Sequence, residues 1–349
     1  MSNSYSAVPD PDAQAAAARM PRRRIGGAEI GAIGLGCMGF NHAYGTPVDR
    51  EQARAVIERA LELGVTHFDT AALYGFGANE ELLGDLLAPY RSRIFLASKC
   101  GMTGVDGKRV IDGRPETLRR TLESALRRLR TDVIDLYYLH RVDKAVPLEE
   151  SVGALADMCR AGLVRSIGLS EVSPQTLRRA HALHPIAAVQ SEYSLWSRGP
   201  EHGLLSTCTE LGVAFVAFSP LGRGFLADGV RDPADFVPQD IRRGMPRFQD
   251  AHWRHNRRLL EPFREFARSV GATPAQLALA WLLSRPSEVI PIVGTTSPAH
   301  LTENVAALGL KLSAAQIESI GQLIGPHNVS GPRYPPATLL EIEPSPDDR

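Results

Sequence analysis

The chain has 349 residues, is 44% hydrophobic and 22% charged, and balances 39 basic against 39 acidic side chains. Balanced charge leaves no electrostatic footprint for nucleic acid or an anionic membrane, and this composition can bury a large core without disulfide or metal staples. A small-molecule ligand is therefore expected, and nothing in the sequence bears on oligomeric state. Cys37, Cys100, Cys159 and Cys208 stand far apart with no C-x-x-C pair, and no apolar run has signal-peptide or membrane-spanning length. Both features predict a cytoplasmic protein with reduced thiols.

Residues 1–21, up to Met20-Pro21 before a run of three arginines, read as a disordered extension. Eight short apolar runs follow, at 32–36, 65–68, 94–98, 133–139, 164–169, 187–190, 213–218 and 289–293. Several are apolar at consecutive positions, the pattern of parallel strands buried on both faces. The helices between them have legible ends. Asp49 with Gln52 resembles a capping box, followed by a stripe of Ala53, Val56, Ile57, Ala60 and Leu61 and a stop at Gly64. Pro115 opens a second helix with Leu118, Leu122, Ala125, Leu126 and Leu129 on one face. Ser173-Pro174 and Ser297-Pro298 are further cap-plus-proline starts.

Strand and helix alternating eight times predict a single-domain α/β fold, a (β/α)8 TIM barrel over residues 22–327, with a doubly wound sheet as the competing arrangement. The spacing breaks between 218 and 289. There 222–250 reads as a long loop over one barrel mouth and 277–283 as buried helix. Residues 328–349 are proline-rich and are expected to form an irregular tail, part of it folding back over the barrel.

In such a barrel the active site gathers at the carboxyl ends of the strands. Polar residues follow the second to eighth strands: Asp69, Lys99, His140, Ser170, Gln190, Ser219 and the run Gly294-Thr295-Thr296. Each has an ordinary structural reading in isolation. Asp69 could cap a turn, Tyr74 could be a core-edge residue, Lys99 a solvated charge and His140 a satisfied core histidine. As a set they fit proton supply. Hydride reduction of a carbonyl leaves an alkoxide that a phenol can protonate, and an adjacent ammonium lowers the phenol's pKa. A carboxylate keeps that ammonium charged when buried, and a histidine can orient the carbonyl. Lysine occurs only at 99, 108, 144 and 311, so its retention at 99 is notable.

These residues lie in longer motifs: Gly64-Val65-Thr66-His67-Phe68-Asp69-Thr70 running on to Tyr74-Gly75, then Asn79-Glu80-Glu81, Asp135 to His140, Gly168-Leu169-Ser170-Glu171, Gln190 to Tyr193, Ser219-Pro220-Leu221-Gly222-Arg223-Gly224 and Glu303-Asn304. In order and content they resemble the aldo-keto reductase superfamily over roughly residues 22 to 334. The Pro-Leu-Gly-Arg-Gly form is more similar to its microbial and plant branch. The resemblance implies a catalytic tetrad of Asp69, Tyr74, Lys99 and His140, a small-molecule aldehyde or ketone as substrate, and NADPH/NADP as cofactor. It also implies cofactor contacts: Ser170 and Gln190 at the nicotinamide carboxamide, Ser219, Leu221 and Arg223 near the pyrophosphate, and Asn304 near adenine. Gly36 and Met38 fall in a tight first turn near the cofactor. Ser297 caps a helix whose free N–H groups and positive dipole end suit a phosphate. No G-x-G-x-x-G opens a helix after a strand, so a Rossmann site is not expected.

Two departures qualify the resemblance. Relatives often place basic residues where this chain has Thr295, Thr296, Ser297 and His300, which weakens preference for NADPH over NADH. Many stack tyrosine on the nicotinamide where Phe218 stands here; stacking survives that change. His252 and His255 are three apart but lack a third ligand, so no metal site is expected. Two rival functions remain: a metal- or phosphate-dependent lyase on the same barrel, and a catalytically slow nicotinamide-bound redox sensor or regulatory subunit.

Overall fold

The computed structural model describes residues 20–105, 108–228, 232–286 and 288–348. Most of the extension expected over 1–21 falls outside the described residues. At its end Met20 is buried, and the Pro21 carbonyl accepts from the Ala32 N–H at 2.9 Å.

Eight parallel strands close into a barrel: β1 (Gly34–Gly36), β2 (His67–Asp69), β3 (Phe95–Cys100), β4 (Leu136–Leu139), β5 (Ile167–Ser170), β6 (Ile186–Glu192), β7 (Ala214–Phe218) and β8 (Val289–Gly294). Each pairs with the next, and β8 pairs back to β1 with Ile292 opposite Gly34. The eight apolar runs thus coincide with the barrel strands, and closure excludes the doubly wound arrangement. Helices α1 (Arg50–Glu62), α2 (Ala78–Leu87), α3 (Pro115–Leu129), α4 (Leu148–Arg160), α5 (Pro174–Leu183) and α6 (Leu204–Leu211) follow the first six strands in turn. Between β7 and β8 lie α7 (Asp250–Arg257), α8 (Leu260–Ser269) and α9 (Pro274–Leu283). After β8 come α10 (Pro298–Ala306), α11 (Ala314–Leu323) and the short α12 (Pro336–Leu339).

The helix starts follow local chemistry. Ser173 and Ser297 each accept from the backbone N–H three residues on, at 3.2 and 3.3 Å, ahead of a proline that has no N–H to satisfy. Asp49 likewise accepts from Gln52 N at 2.8 Å, but the reciprocal half of the expected capping box is absent. The Gln52 amide instead donates to the Thr296 carbonyl at 2.9 Å, tying α1 to the loop after β8. On α3, Leu118, Leu122, Ala125 and Leu129 are buried against the sheet, each leucine contributing about 1.5–3 kcal/mol of burial energy. Gly84 on α2 lets the two helices meet, because a Cβ there would stand 2.0 Å from the Arg128 carbonyl oxygen. The segment expected to be a buried helix is α9, with Leu277 through Leu282 inaccessible.

Two hairpins have no clear signature in the sequence. Arg22–Ile25 pairs antiparallel with Ala28–Gly31, and Ile25 and Ile30 pack with Phe95, Leu136, Ala188, Ala214 and Ile290 inside the barrel. They plug its amino-terminal end, so this is a packed core and not a pore. Only one residue in each short strand of this hairpin carries the apolar signal, too little for a periodicity to register. The second hairpin, Met102–Val105 with Lys108–Ile111, extends from β3 over the carboxyl-terminal mouth, where Met102 packs against Tyr74.

Among its described residues the 222–250 segment contains four short 3-10 turns, at Gly222–Gly224, Pro233–Asp235, Ile241–Gly244 and Pro246–Phe248. The tail does return over the barrel, and it is more ordered than its composition implies. Arg333 forms ion pairs with Glu171 (2.7 Å) and Asp348 (2.6 Å). Glu343 accepts from Ser173 N (2.7 Å) and Thr176 Oγ1 (2.8 Å), and Lys144 donates to the Leu340 carbonyl (2.6 Å). His252 and His255 hold its first residues through Ser330 Oγ (2.8 Å) and the Asn328 carbonyl (2.9 Å). Among the described residues no helix is long and apolar enough to cross a membrane.

Candidate active site

Asp69 ends β2, Lys99 lies near the end of β3, and His140 follows β4, so three adjacent strands deliver their side chains to one mouth. Tyr74 joins them from the loop after β2. That loop makes a sharp reversal, with Gly75 (φ 56°), Phe76 (φ 53°) and Gly77 (φ 102°) all left-handed. A β-branched residue at Gly75 would be strained, and Phe76 pays that strain itself while its ring stays solvent-exposed.

The ammonium of Lys99 is fully buried. It forms an ion pair with Asp69 and donates to the Thr70 carbonyl at 2.8 Å and to Tyr74 Oη at 3.2 Å. Burial works to strip its proton, but the charge of Asp69 and then the contact with Tyr74 hold it above its ordinary pKa. Gln190 Nε2 donates to the second oxygen of Asp69 at 2.7 Å, so both carboxylate oxygens are engaged. The Tyr74 phenol moves in the opposite sense from the expectation. Burial pushes it above its usual value, and the Lys99 charge offsets only part of that. His140 meets Tyr74 edge to face, with ring centroids 6.0 Å apart. Its Nδ1 is buried with no hydrogen-bond partner. Burial, followed by the charges of Arg141, Lys99, Arg109 and His42, holds it well below its ordinary pKa, so the ring is neutral.

A further layer fixes β2 and β3. Thr70 Oγ1 donates to Asn79 Oδ1 at 2.6 Å, and Asn79 Nδ2 donates to the Cys37 carbonyl at 2.9 Å. Glu80, fully buried, accepts from Ser98 Oγ at 2.5 Å and from Arg128 Nε and Nη2 at 2.8 and 2.6 Å. Sequence reading missed the roles of Glu80 and Arg141; the signals available were a carboxylate inside the Asn79-Glu80 motif and a cation directly after His140.

The residues expected at the cofactor divide. Gly36 and Gly294 pair across β1 and β8, and Met38 packs in a small cluster with Ala71, Leu73, Tyr74 and Met102. Phe218 is half-buried at the end of β7, and Ser219 follows it in the left-handed region (φ 51°), ahead of Leu221. Thr295 Oγ1 accepts from Ser297 N at 3.1 Å at the start of α10, His300 is exposed and Asn304 is buried. Ser170 Oγ accepts from Arg141 Nη1 at 3.3 Å. Arg223 pairs with buried Glu192 at 2.6 Å and donates to Tyr334 Oη at 2.9 Å and Tyr44 Oη at 3.3 Å. The reason is electrostatic, since Glu192 is almost inaccessible and needs a counter-ion.

A buried carboxylate, ammonium and phenol beside a neutral histidine, at the carboxyl ends of barrel strands, form a cluster with the chemistry to exchange a proton with a small molecule. Comparison with known proteins carries this to a family. The model of the aldo/keto reductase family matches residues 32–324. A probable aldo-keto reductase of Glycine max is 44% identical over 88% of this chain and 89% of its own length. A Schizosaccharomyces pombe protein named as an NADP(+) aldo-keto reductase is 41% identical over 93% of this chain and 97% of its own length. Among solved structures, a glycerol dehydrogenase from Gluconobacter oxydans superposes with a TM-score of 0.80 at 27% identity, covering 90% of this chain and 98% of that one. The chain belongs to the aldo/keto reductase family.

Proposed function

We propose that this chain reduces an aldehyde or ketone to the alcohol, with Tyr74 as the general acid and Lys99, Asp69 and His140 as its support. The observation that carries the reading is the buried Lys99 ammonium, 3.2 Å from Tyr74 Oη and neutralised by Asp69. In that geometry the ammonium stabilises negative charge developing on the phenol oxygen as its proton passes to the substrate oxygen. Asp69 keeps Lys99 charged and, held by Gln190, keeps it aimed. Neutral His140 offers a ring donor to the carbonyl, which orients it without competing as the stronger acid.

The donor set fits a phosphorylated nicotinamide cofactor. Thr295, Thr296 and Ser297 would hold phosphate at the first turn of α10, and Ser170, Gln190 and Phe218 would hold the nicotinamide end. Family membership and the fission-yeast relative's name support NADP(H) as that cofactor, and Thr295, Thr296 and His300 in place of basic residues leave NADH as the alternative. When bound, NADPH supplies the hydride. The redox-sensor alternative is not favoured, because the proton-transfer set is complete.

The test is Tyr74→Phe. It keeps the ring and its packing against Met102, so NADPH binding, followed by fluorescence, is expected to persist while carbonyl reduction is lost. A variant that retained near wild-type turnover would remove Tyr74 from the chemistry.

A further inference from the structure

Arg141 directly follows His140 at the end of β4 and is only 9% exposed. Its Nη1 donates to the His140 carbonyl at 2.6 Å and to Ser170 Oγ at 3.3 Å, while its Nε is buried without a partner. Among the described residues no carboxylate lies within ion-pair distance of it, whereas the other deeply buried arginines are answered. Arg223 has Glu192 and Arg333 has Glu171 and Asp348. Arg247, also without an ion pair, has its Nε on the Gly331 carbonyl at 2.9 Å and its Nη1 on Ser197 Oγ at 2.9 Å. A desolvated cation with an idle N–H and no counter-ion is costly, and it is retained where an anion arrives to complete it.

Asp69 is held by Lys99 and Gln190, and Glu341 of the tail pairs through Oε1 with Arg109 at 2.5 Å. The missing anion is not a cofactor phosphate either. The hydroxyls suited to phosphate follow β8, and β8 stands four strands around the eight-stranded barrel from β4, on the opposite side. What remains is the reactant itself, whose carbonyl must lie against Tyr74 and His140, the residue adjoining Arg141.

We infer that Arg141 binds a carboxylate or phosphate group carried by the carbonyl substrate. This rests on the reductase reading above and narrows it to small anionic aldehydes and ketones. A planar guanidinium can take either oxyanion through two parallel N–H donors, so the shared chemistry is an oxyanion near the reacting carbon.

The experiment compares kcat/KM with NADPH for matched pairs: butanal against 4-oxobutanoate, and glyceraldehyde against glyceraldehyde 3-phosphate. The anionic member of one pair is expected to be favoured by roughly 10- to 100-fold, the worth of a charge-assisted hydrogen bond, mainly through KM. The pair that responds distinguishes carboxylate from phosphate. Arg141→Gln is expected to bring the ratio to within about threefold of unity, with Arg141→Lys intermediate. NADPH binding by both variants, followed by fluorescence, reports an intact barrel, and the lysine variant supplies the ratio if the glutamine variant does not fold. Turnover of the neutral aldehydes with no anionic preference, or a preference that survives Arg141→Gln, overturns the inference alone. Absence of turnover with every aldehyde, neutral or anionic, overturns the reductase reading and the inference with it.

Discussion

Replacing Lys99 with methionine removes the buried ammonium while keeping most of the side chain's volume. An ammonium and a phenolate 3.2 Å apart attract by about 5 kcal/mol at an effective dielectric of about 20. That is the gross stabilisation lost to an ionising Tyr74. With roughly half of the charge developed at the transition state, the barrier to proton transfer rises by about 2.5 kcal/mol, and turnover falls between about 10- and 100-fold. A structural cost accompanies it. Asp69, buried and left with Gln190, loses its counter-ion, a change that typically costs about 3–5 kcal/mol unless the carboxylate takes up a proton. The assay is single-turnover oxidation of NADPH with a saturating aldehyde, together with cofactor affinity and urea unfolding of the same protein. A variant that binds NADPH, unfolds at a lower urea concentration and turns over near the wild-type rate would show that the ammonium serves the fold and not the reaction.

Two further outcomes follow from burial. His67 is fully inaccessible, and burial brings its pKa down to about 4. A histidine with a folded pKa below its unfolded value binds fewer protons folded than unfolded, so stability is present above about pH 6.5 and declines as pH falls toward about 4, by about 3 kcal/mol from His67 alone. Urea unfolding across that window should show the decline, with a flatter profile in His67→Leu; identical slopes would refute the assignment. Gly84→Ala sets a Cβ 2.0 Å from the Arg128 carbonyl oxygen, where backbone cannot yield as a side-chain end could. A loss of about 3 kcal/mol or more is expected. Turnover should fall as well, because Arg128 and Glu80 hold Ser98 beside Lys99; a loss below about 0.5 kcal/mol would contradict that packing.

The barrel was legible in the sequence because its signal is local and repeated. Consecutive apolar residues such as 94–98 mark strands buried on both faces, and caps such as Ser173 and Ser297 bond within three residues of themselves. The clustering of Asp69, Lys99 and His140 was legible for a related reason. Strand ends are readable positions, and in a closed barrel all of them face one mouth.

What tertiary structure alone decided are the relations between distant segments. Arg223 finds its counter-ion in buried Glu192 at the end of β6, 31 residues away in sequence. The hairpin at Arg22–Ile25 and Ala28–Gly31 carries one buried isoleucine in each strand, and only the barrel's open end gives those two side chains a core to fill. Tyr74 was expected to have a lowered pKa from its neighbour's charge, and the depth of its burial reversed the sign. Local pattern fixes which residues can form an element, since it depends on neighbours a few positions away. Desolvation and ion pairing depend on every atom within several ångströms, and those atoms are assembled only when the chain closes on itself.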